Sequence, residues 1–187
     1  MSEWTDETAR WYAERYGEYP TNRAAIELAA LRPTDVVIDI GCGTASALRH
    51  AASVVTEGRL IGIDPIPTML EIARERVSAH PARDRIELIV AAAHDLPLED
   101  DIGDVIFALD SFDHWGVHRA RGLAEVARVL APTGRFIVIK DGGLPKADAS
   151  GKQFEAMLSE HGLESRHSEA VEFEGVAFHW WEIAHTE

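Results

Sequence analysis

The sequence is poor in positive charge and in long apolar runs, and both shortages exclude classes of partner. Its 187 residues hold 18 Lys and Arg against 32 Asp and Glu, a formal net charge of −14. Nucleic acids and anionic membranes bind to basic surfaces, and the sequence has no cluster of Lys and Arg that would form one. No uninterrupted apolar run approaches the roughly 20 residues that span a bilayer. We therefore expect no nucleic-acid partner and no membrane partner.

Cysteine is almost absent as well. Cys42 is the one cysteine, so a disulfide within the chain is impossible. No cationic residue stands beside it in the sequence to make its thiol reactive, and we expect it to serve packing. His, Asp and Glu do not occur at metal-ligand spacing, so the sequence predicts no metal. The first residues are polar and acidic, unlike a secretory signal, which favours a cytoplasmic protein.

What is present is the composition of one folded domain. Hydrophobic residues make up 46% of the sequence and charged residues 27%, proportions typical of folded proteins. No internal repeat, low-complexity tract or linker-like stretch divides the chain. A chain of this length can bury one sizeable core but is short for two. We expect a single domain over residues 1–187.

Short β-branched runs alternate with helical patterns through the middle of the chain. Five runs predict buried strands, at 36–40, 59–63, 85–90, 104–109 and 135–139. Between them, apolar residues recur at helical spacing, as in Met69, Ile72, Ala73 and Val77. This alternation predicts the α/β class, with a Rossmann-like three-layer sandwich around a mostly parallel sheet.

The two ends depart from the alternation. Residues 1–31 are expected to form an N-terminal helical cap, with two helices over 5–31 that are broken between Gly17 and Pro20. Residues 149–187 predict a helix over about 149–161 and two strands that meet near Gly175. Strands so close in sequence must pair antiparallel, because a parallel pair needs a long crossover. The sheet is therefore predicted to have seven strands and to end in an antiparallel C-terminal edge hairpin.

The strongest chemical signal is a glycine-rich loop, Asp39-Ile40-Gly41-Cys42-Gly43-Thr44-Ala45, between a strand and a helix. Glycines let the backbone turn tightly and approach a ligand, and open α/β sheets bind ligands at this edge. A dinucleotide fingerprint needs glycine where Ser46 stands. Asp39 is placed to hold a cation such as the α-ammonium of methionine. Asp64 ends the next strand, where a carboxylate can accept hydrogen bonds from both ribose hydroxyls.

With these residues the sequence resembles the class I S-adenosylmethionine-dependent methyltransferases, most closely their compact small-molecule branch. The resemblance covers residues 35–140 and implies that this part binds S-adenosylmethionine and releases S-adenosylhomocysteine. The sequence departs from the family pattern at Ala45, the position at which the family usually has the third glycine of this loop. The residues that match the family's cofactor site are Asp39, Gly41, Cys42, Gly43, Asp64, Pro65, Met69, His94, Asp95, Leu96, Leu109 and Asp110.

Several of these assignments have plainer alternatives. The resemblance implies that Met69 packs against adenine, that Asp95 meets the adenine amino group, and that the backbone of Leu96 lies at its edge. Asp95 is equally an ordinary acidic loop residue. Asp64 before Pro65 has the alternative of a helix cap, but the presence of Asp39 favours the ribose role.

The resemblance also implies an acceptor site near 110–115, the segment that faces the transferred methyl group. His114 is a candidate general base, because imidazole titrates near neutral pH; the alternative is a surface histidine. Trp115 is a candidate acceptor contact. Tyr12, Tyr16 and Tyr19 recur at helical spacing and would either face the acceptor or pack the N-terminal helix. Residues 178–181 would line a pocket, cover the sheet or form a dimer contact.

The implied reaction is direct in-line methyl transfer to a small-molecule acceptor, for which the protein mainly aligns the two reactants. Two other functions share part of this pattern. One is a nicotinamide-dependent dehydrogenase, which Ser46 and Asp39 disfavour. The other is a non-catalytic module that binds S-adenosylmethionine for regulation. The protein is expected to be a monomer or a homodimer.

Overall fold

The structure is a computed structural model that describes residues 4–142 and 151–186. Its helices are α1 (Asp6–Tyr16), α2 (Pro20–Leu28), α3 (Ser46–Ala51), α4 (Pro67–Ser78), α5 (Arg119–Val129) and α6 (Lys152–Ser159). Its strands are β1 (Val36–Ile40), β2 (Arg59–Asp64), β3 (Ile86–Val90), β4 (Gly103–Leu109), β5 (Leu130–Asp141), β6 (Leu163–Phe173) and β7 (Val176–His185). Short 3₁₀ segments lie at Arg83–Arg85 and Phe112–His118. The first two residues of the helix predicted over 149–161, and residues 1–3 and 187 of the predicted end segments, lie outside the described residues.

Within that part of the chain one sheet has the order β3-β2-β1-β4-β5-β7-β6. The first five strands in this order are parallel to their neighbours, whereas β7 runs antiparallel to both β5 and β6. The predicted α/β class, the seven strands and the antiparallel edge hairpin are confirmed. No helix among residues 4–142 and 151–186 combines the length and the apolar character that a membrane crossing requires.

Helices cover both faces of the sheet, which is why β1 is apolar on both sides. Val37 packs into a core with Ala24 of α2 and Leu48 of α3. Its neighbour Ile38 points to the opposite face, where the core includes Leu123 of α5. Successive side chains of a strand point to opposite faces, so a doubly covered strand reads as a continuous apolar run.

The ligand edge of this fold lies beside β1. Strand β1 pairs with β2 on one side and with β4 on the other, so the chain leaves β1 and β4 in opposite directions and a crevice opens at their carboxyl ends. The loops after the two strands are in close contact, since Ser111 Oγ donates a hydrogen bond to the Ile40 carbonyl at 2.5 Å. A side chain at Gly41 would place its Cβ 2.4 Å from Ser111 Cβ. Only glycine fits at this position.

The N-terminal helices lie over this edge and are fastened to it. Helix α1 is capped by Thr5, which accepts the backbone N–H of Thr8 at 3.2 Å. The break predicted between Gly17 and Pro20 is present, and Thr44 Oγ1 donates to the Gly17 carbonyl at 2.6 Å. Glu18 accepts from Ser46 at 2.8 Å and forms ion pairs with Arg49 and Arg76.

Strand β5 differs most from its predicted bounds. The sequence predicts 135–139, and the strand runs from Leu130 to Asp141. Its start pairs with Gly103 of β4, and its end pairs with Phe178 of β7. Pairing with strands on both sides therefore extends β5 beyond the apolar run that marks it in the sequence.

Candidate active site

The loop after β1 is held against β2 by its backbone. The N–H groups of Gly41 and Cys42 both donate to the Ile63 carbonyl, at 2.7 and 3.0 Å. Ala45 then begins α3 with φ 59° and ψ 31°, a left-handed conformation that glycine adopts more easily than alanine. A Cβ at Gly43 would meet no atom within 4 Å. The loop therefore presents open space to the cleft at Gly43.

Asp64 ties the glycine loop to the loop after β2. Its Oδ2 accepts the N–H of Gly43 at 3.1 Å, and its Oδ1 accepts the N–H of Ile66 at 2.9 Å. Burial raises the pKa of Asp64, while these two hydrogen bonds lower it. The residue that caps α4 is Ile66, so Asp64 is not the N-cap of that helix. Each carboxylate oxygen keeps a free acceptor position, which suits a pair of hydroxyls.

The carboxyl group of Asp39 is buried, and its pKa is raised. The residue is 2% exposed, and within the described residues its Oδ1 has no hydrogen-bond partner. Burial, and to a smaller degree the charge of Asp64, raise the pKa of Asp39 to about 7. A cation bound nearby would stabilise the charged form.

Cys42 is also buried, and burial together with Asp39 and Asp64 raises the pKa of its thiol, as expected for a cysteine that serves packing.

Three cavities lie at this edge of the sheet, and each takes its name from residues that line it. The tyrosine cavity, about 260 Å³, lies between the N-terminal helices and the glycine loop. The Asp64 cavity, about 960 Å³, includes Trp4 and His114. The Ala92 cavity, about 210 Å³, lies at the end of β3. The predicted cofactor residues that line at least one of them are Gly41, Cys42, Gly43, Asp64, Pro65, Met69, His94, Leu109 and Asp110.

The three predicted tyrosines come together in the tyrosine cavity. The ring centroids of Tyr12 and Tyr16 are 4.9 Å apart, and those of Tyr16 and Tyr19 are 5.7 Å apart. Tyr19 lies outside α1, because it is the cap residue of α2. Its hydroxyl donates to Asp141 Oδ2 at 2.7 Å, and this bond raises the pKa of Tyr19 to about 12. The tyrosines thus face the glycine loop, which the sequence does not indicate.

Asp95 and Leu96 do not line the cavities described for residues 4–142 and 151–186, and their contacts with adenine stay predictions. Asp95 is exposed. Leu96 is buried in the core, and its N–H donates to Glu125 Oε2 at 2.8 Å, so that donor is already used. From the segment directly after β3, Ala91, Ala92, Ala93 and His94 line the Ala92 cavity. The sequence predicts His94 among the cofactor residues but not Ala92 or Ala93, for which the position directly after a strand is the only signal.

His114 lies where the cavities meet. It is exposed, and it lines the Asp64 and Ala92 cavities as well as a fourth, the Trp181 cavity. The centroid of its ring is 6.2 Å from that of Trp4. Trp115 turns the other way into the core, where a Cβ at Gly122 would lie 2.6 Å from its ring. Of the four cavities described for residues 4–142 and 151–186, Trp115 lines the Ala92 cavity alone, and its contact with the acceptor stays a prediction.

The Trp181 cavity, about 400 Å³, lies between the loop after β4, the end of β5 and α6. Of the aromatic run 178–181, Trp181 lines this cavity, whereas Phe178 and Trp180 pack in the core on the other face. His179 stacks on Trp181, with ring centroids 4.2 Å apart. The alternation of a strand thus divides the run between pocket and core.

Asp110 joins the cavities. It lines the tyrosine, Asp64 and Trp181 cavities and has a left-handed backbone with φ 52°. Thr21 donates to its Oδ2 at 2.9 Å, and the N–H of Asp141 donates to its Oδ1 at 2.6 Å. Burial raises the pKa of Asp110. In the part of the chain that the structure covers, no group of three or more His, Cys, Asp or Glu is placed to hold a metal ion.

Comparison with known proteins matches this architecture to one family. The model of the family described as "Methyltransferase domain" matches residues 38–138. The demethylmenaquinone methyltransferase of Symbiobacterium thermophilum is 36% identical over 124 residues, which is 64% of this chain and 47% of that protein. An O-methyltransferase of Pyrenophora dematioidea is 33% identical over 140 residues, 71% of this chain and 51% of that protein. The chain thus spans about half the length of these curated relatives.

Solved structures agree on the fold. The crystal structure of a SAM-dependent methyltransferase from Aquifex aeolicus superposes with a TM-score of 0.76 over 97% of this chain and 99% of that one. Its sequence identity is 19%, so the likeness concerns the fold alone.

Proposed function

Because this chain belongs to the family of methyltransferase domains, we propose that it transfers a methyl group from S-adenosylmethionine to a small-molecule acceptor. The observation that carries the proposal is the placement of Asp64 beside the glycine loop. Its carboxylate accepts backbone N–H groups from the loop after β1 and from the loop after β2, and it lines the Asp64 cavity with acceptor positions to spare. A site of this form is suited to the two hydroxyls of a ribose.

The remaining residues fit the other parts of the same molecule. The buried Asp39, with its unpartnered oxygen and raised pKa, is suited to a nearby ammonium. Met69 and Pro65 supply apolar surface beside Asp64, and the backbone of Ala92 and Ala93 lies at the end of β3. We assign the adenine to the Ala92 cavity and the amino-acid end to the tyrosine cavity.

When bound, S-adenosylmethionine supplies a methyl group already activated by a positively charged sulfur. The contribution of this chain is then to hold and align the acceptor, which can supply several kcal/mol of the barrier. Asp110 and His114 line both the Asp64 cavity and the Trp181 cavity. We therefore assign the acceptor to the Trp181 cavity and the role of general base to His114, which faces both sides.

A non-catalytic S-adenosylmethionine-binding module would need Asp39 and Asp64 but no second cavity. The Trp181 cavity, which shares Asp110 and His114 with the cofactor side, favours an enzyme.

Calorimetric titration with S-adenosylhomocysteine and, separately, with NAD tests the proposal. We expect S-adenosylhomocysteine to bind with a dissociation constant in the micromolar range, equivalent to roughly 7–9 kcal/mol. The melting temperature of the protein should rise when S-adenosylhomocysteine is added and stay unchanged when NAD is added. Binding of NAD without binding of S-adenosylhomocysteine would overturn the proposal and favour a dehydrogenase.

A further inference from the structure

The Trp181 cavity meets the cofactor side at a pair of carboxylates. Asp110 lines the tyrosine, Asp64 and Trp181 cavities, and Asp141 lines the tyrosine and Trp181 cavities. The two residues are directly linked, because the N–H of Asp141 donates to Asp110 Oδ1 at 2.6 Å. An acceptor that reaches the methyl donor from the Trp181 cavity therefore lies beside both carboxylates.

Among the described residues, the side chains that donate hydrogen bonds to this pair are neutral. Thr21 donates to Asp110 at 2.9 Å, and Tyr19 donates to Asp141 at 2.7 Å. Burial comes first among the causes that raise the pKa of Asp110, and the charge of Asp141 raises it further, while Lys140 lowers it. Asp110 and Asp141 together form the junction between the cavities. The junction is thus a site of negative charge, half-buried at Asp110 and exposed at Asp141, which a bound cation would stabilise.

Two cationic side chains that line the cavity, Lys140 and Arg119, both lie beside a third carboxylate, Asp113. Lys140 forms an ion pair with Asp113, and Arg119 Nη2 lies 3.8 Å from Asp113 Oδ1. The Arg119 guanidinium also lies over the ring of Phe112, 5.2 Å from its centroid. Among the described residues, three carboxylates and two cations line this cavity, and both cations lie beside Asp113. The other two carboxylates, Asp110 and Asp141, carry the negative charge on the side of the cofactor.

One part of the cavity wall is apolar and largely aromatic. Phe112, Phe154, Met157 and Trp181 line it. The rings of Phe112 and Phe154 meet edge to face with centroids 5.4 Å apart, and those of Phe154 and Trp181 with centroids 5.3 Å apart. The volume of about 400 Å³ is within the usual range for a small ligand. Such walls suit a flat apolar body.

We propose that the acceptor is an amine on a flat apolar body, with its nitrogen held at Asp110 and Asp141 and its body in the Trp181 cavity. This inference rests on the proposed function and names the substrate class of that site. The acceptor ammonium loses one proton to His114, which lines the same cavity. The nitrogen lone pair then forms the bond to the methyl carbon as the bond from that carbon to sulfur breaks with its electrons left on sulfur.

The charge balance distinguishes an amine from a phenol. With an amine the positive charge leaves sulfur and ends on the methylated nitrogen, beside Asp110 and Asp141, so the carboxylates stabilise the charge as it develops. With a phenolate the two charges cancel, and the same carboxylates repel the attacking oxygen. The junction therefore favours nitrogen over an anionic oxygen as the nucleophile.

Ligand-observed NMR titration of the complex with S-adenosylhomocysteine tests this inference without turnover. The probes share one body and differ in the polar group: 2-phenylethylamine, 2-phenylethanol, 4-ethylphenol and 3-phenylpropanoate. We expect the amine to bind at least about tenfold more tightly than the other three, since hydrogen bonds to charged groups are the stronger ones. Asp141→Asn, which keeps an oxygen for Tyr19, should lower the amine affinity by about tenfold and leave the alcohol unchanged.

Two controls separate this inference from its alternatives. Asp84→Asn removes one negative charge from a side chain that is 87% exposed in the 3₁₀ segment Arg83–Arg85, and it should bind all probes like the parent. Asp110→Asn should repeat the effect of Asp141→Asn. Equal or tighter binding of the phenol or the carboxylate would overturn the inference while the proposed function stands. So would a loss of S-adenosylhomocysteine affinity in Asp141→Asn as large as the loss for the amine. A parent protein that does not bind S-adenosylhomocysteine would overturn the proposed function itself.

Discussion

The two sides of the cleft are built in different ways. On the cofactor side, Gly41, Asp64 and Ala92 each end or follow one of three adjacent parallel strands, and the contacts of Gly41 and Asp64 are to backbone. On the acceptor side, His114, Asp141 and Trp181 come from distant parts of the chain. The cofactor side is therefore determined by the strands that also build the core. The acceptor side depends instead on contacts between side chains that are far apart in the sequence, and the order of the strands alone does not determine these contacts.

This comparison predicts that changes on the acceptor side affect rate, whereas changes on the cofactor side affect affinity or stability. The largest effect is expected for His114→Gln. A positioned base typically contributes 10²–10⁴ in rate, so kcat should fall by about a hundredfold or more. Affinity for S-adenosylhomocysteine should stay nearly unchanged, because Ile63 and Asp64 hold the backbone of the glycine loop and the carboxylate of Asp64 stays in place.

Steady-state kinetics with any turned-over acceptor, together with calorimetry, measures both quantities. His167→Gln is the matched control, because that side chain is 50% exposed on β6 and lines none of the four cavities described. A parental kcat in His114→Gln would make His114 a bystander.

The next largest effect is expected for Asp64→Ala. Loss of hydrogen bonds to a charged group costs on the order of 1.5–3 kcal/mol, so affinity for S-adenosylhomocysteine should fall at least about tenfold. Asp95→Ala is the matched control, since the resemblance alone places that carboxylate on the adenine and the structure leaves it exposed. Similar losses of affinity in the two variants, measured by calorimetry, would indicate that Asp95 contacts the adenine. They would contradict the Ala92 cavity as the adenine site.

Asp39→Asn should move stability and affinity in opposite directions. The Asp39 carboxyl has a pKa of about 7 in the folded protein, whereas an aspartate in an unfolded chain has a pKa of about 3.9. The folded state therefore holds the proton more tightly, and stability is lost as the pH rises from about 4 through about 7. At pH 8 the unliganded variant should be more stable than the parent by on the order of 2 kcal/mol, with a smaller difference at pH 5.

Urea denaturation at the two pH values measures this difference, and calorimetry should show weaker binding of S-adenosylmethionine by the variant. A stability difference that does not change with pH would mean that Asp39 is charged in the unliganded protein, and it would remove the argument for a bound ammonium.

The smallest effect is expected for Ala45→Gly. Ala45 has φ 59°, and Ala30 has φ 44° outside the cleft. Glycine relieves roughly 1–2 kcal/mol of left-handed strain but loses about 0.5–1 kcal/mol through the greater freedom of the unfolded chain. Both Ala45→Gly and the control Ala30→Gly should therefore gain up to about 1 kcal/mol in urea denaturation. A clear loss of stability in Ala45→Gly alone would show that its methyl group packs usefully in the core.

The same difference between the two sides explains how far the sequence could be interpreted. The α/β class, the antiparallel hairpin and the resemblance to class I methyltransferases are confirmed, because buried strands and the loops after them carry strong local patterns. The resemblance implies an adenine contact for Asp95, which the structure leaves exposed, whereas Ala92 has no polar side chain that would mark it in the sequence. The meeting of Tyr19 with Asp141, 122 positions away, has no local signal. The oligomeric state and the cytoplasmic location stay predictions.

A crystal structure of the complex with S-adenosylhomocysteine tests the central claim most directly. The account predicts that both ribose hydroxyls bond to Asp64, that adenine lies against Ala92 and Ala93, and that Asp95 remains in solvent. It also predicts that the sulfur lies between the Asp64 and Trp181 cavities, beside Asp110. A nucleoside bound away from Asp64, or a sulfur facing away from the Trp181 cavity, would contradict it.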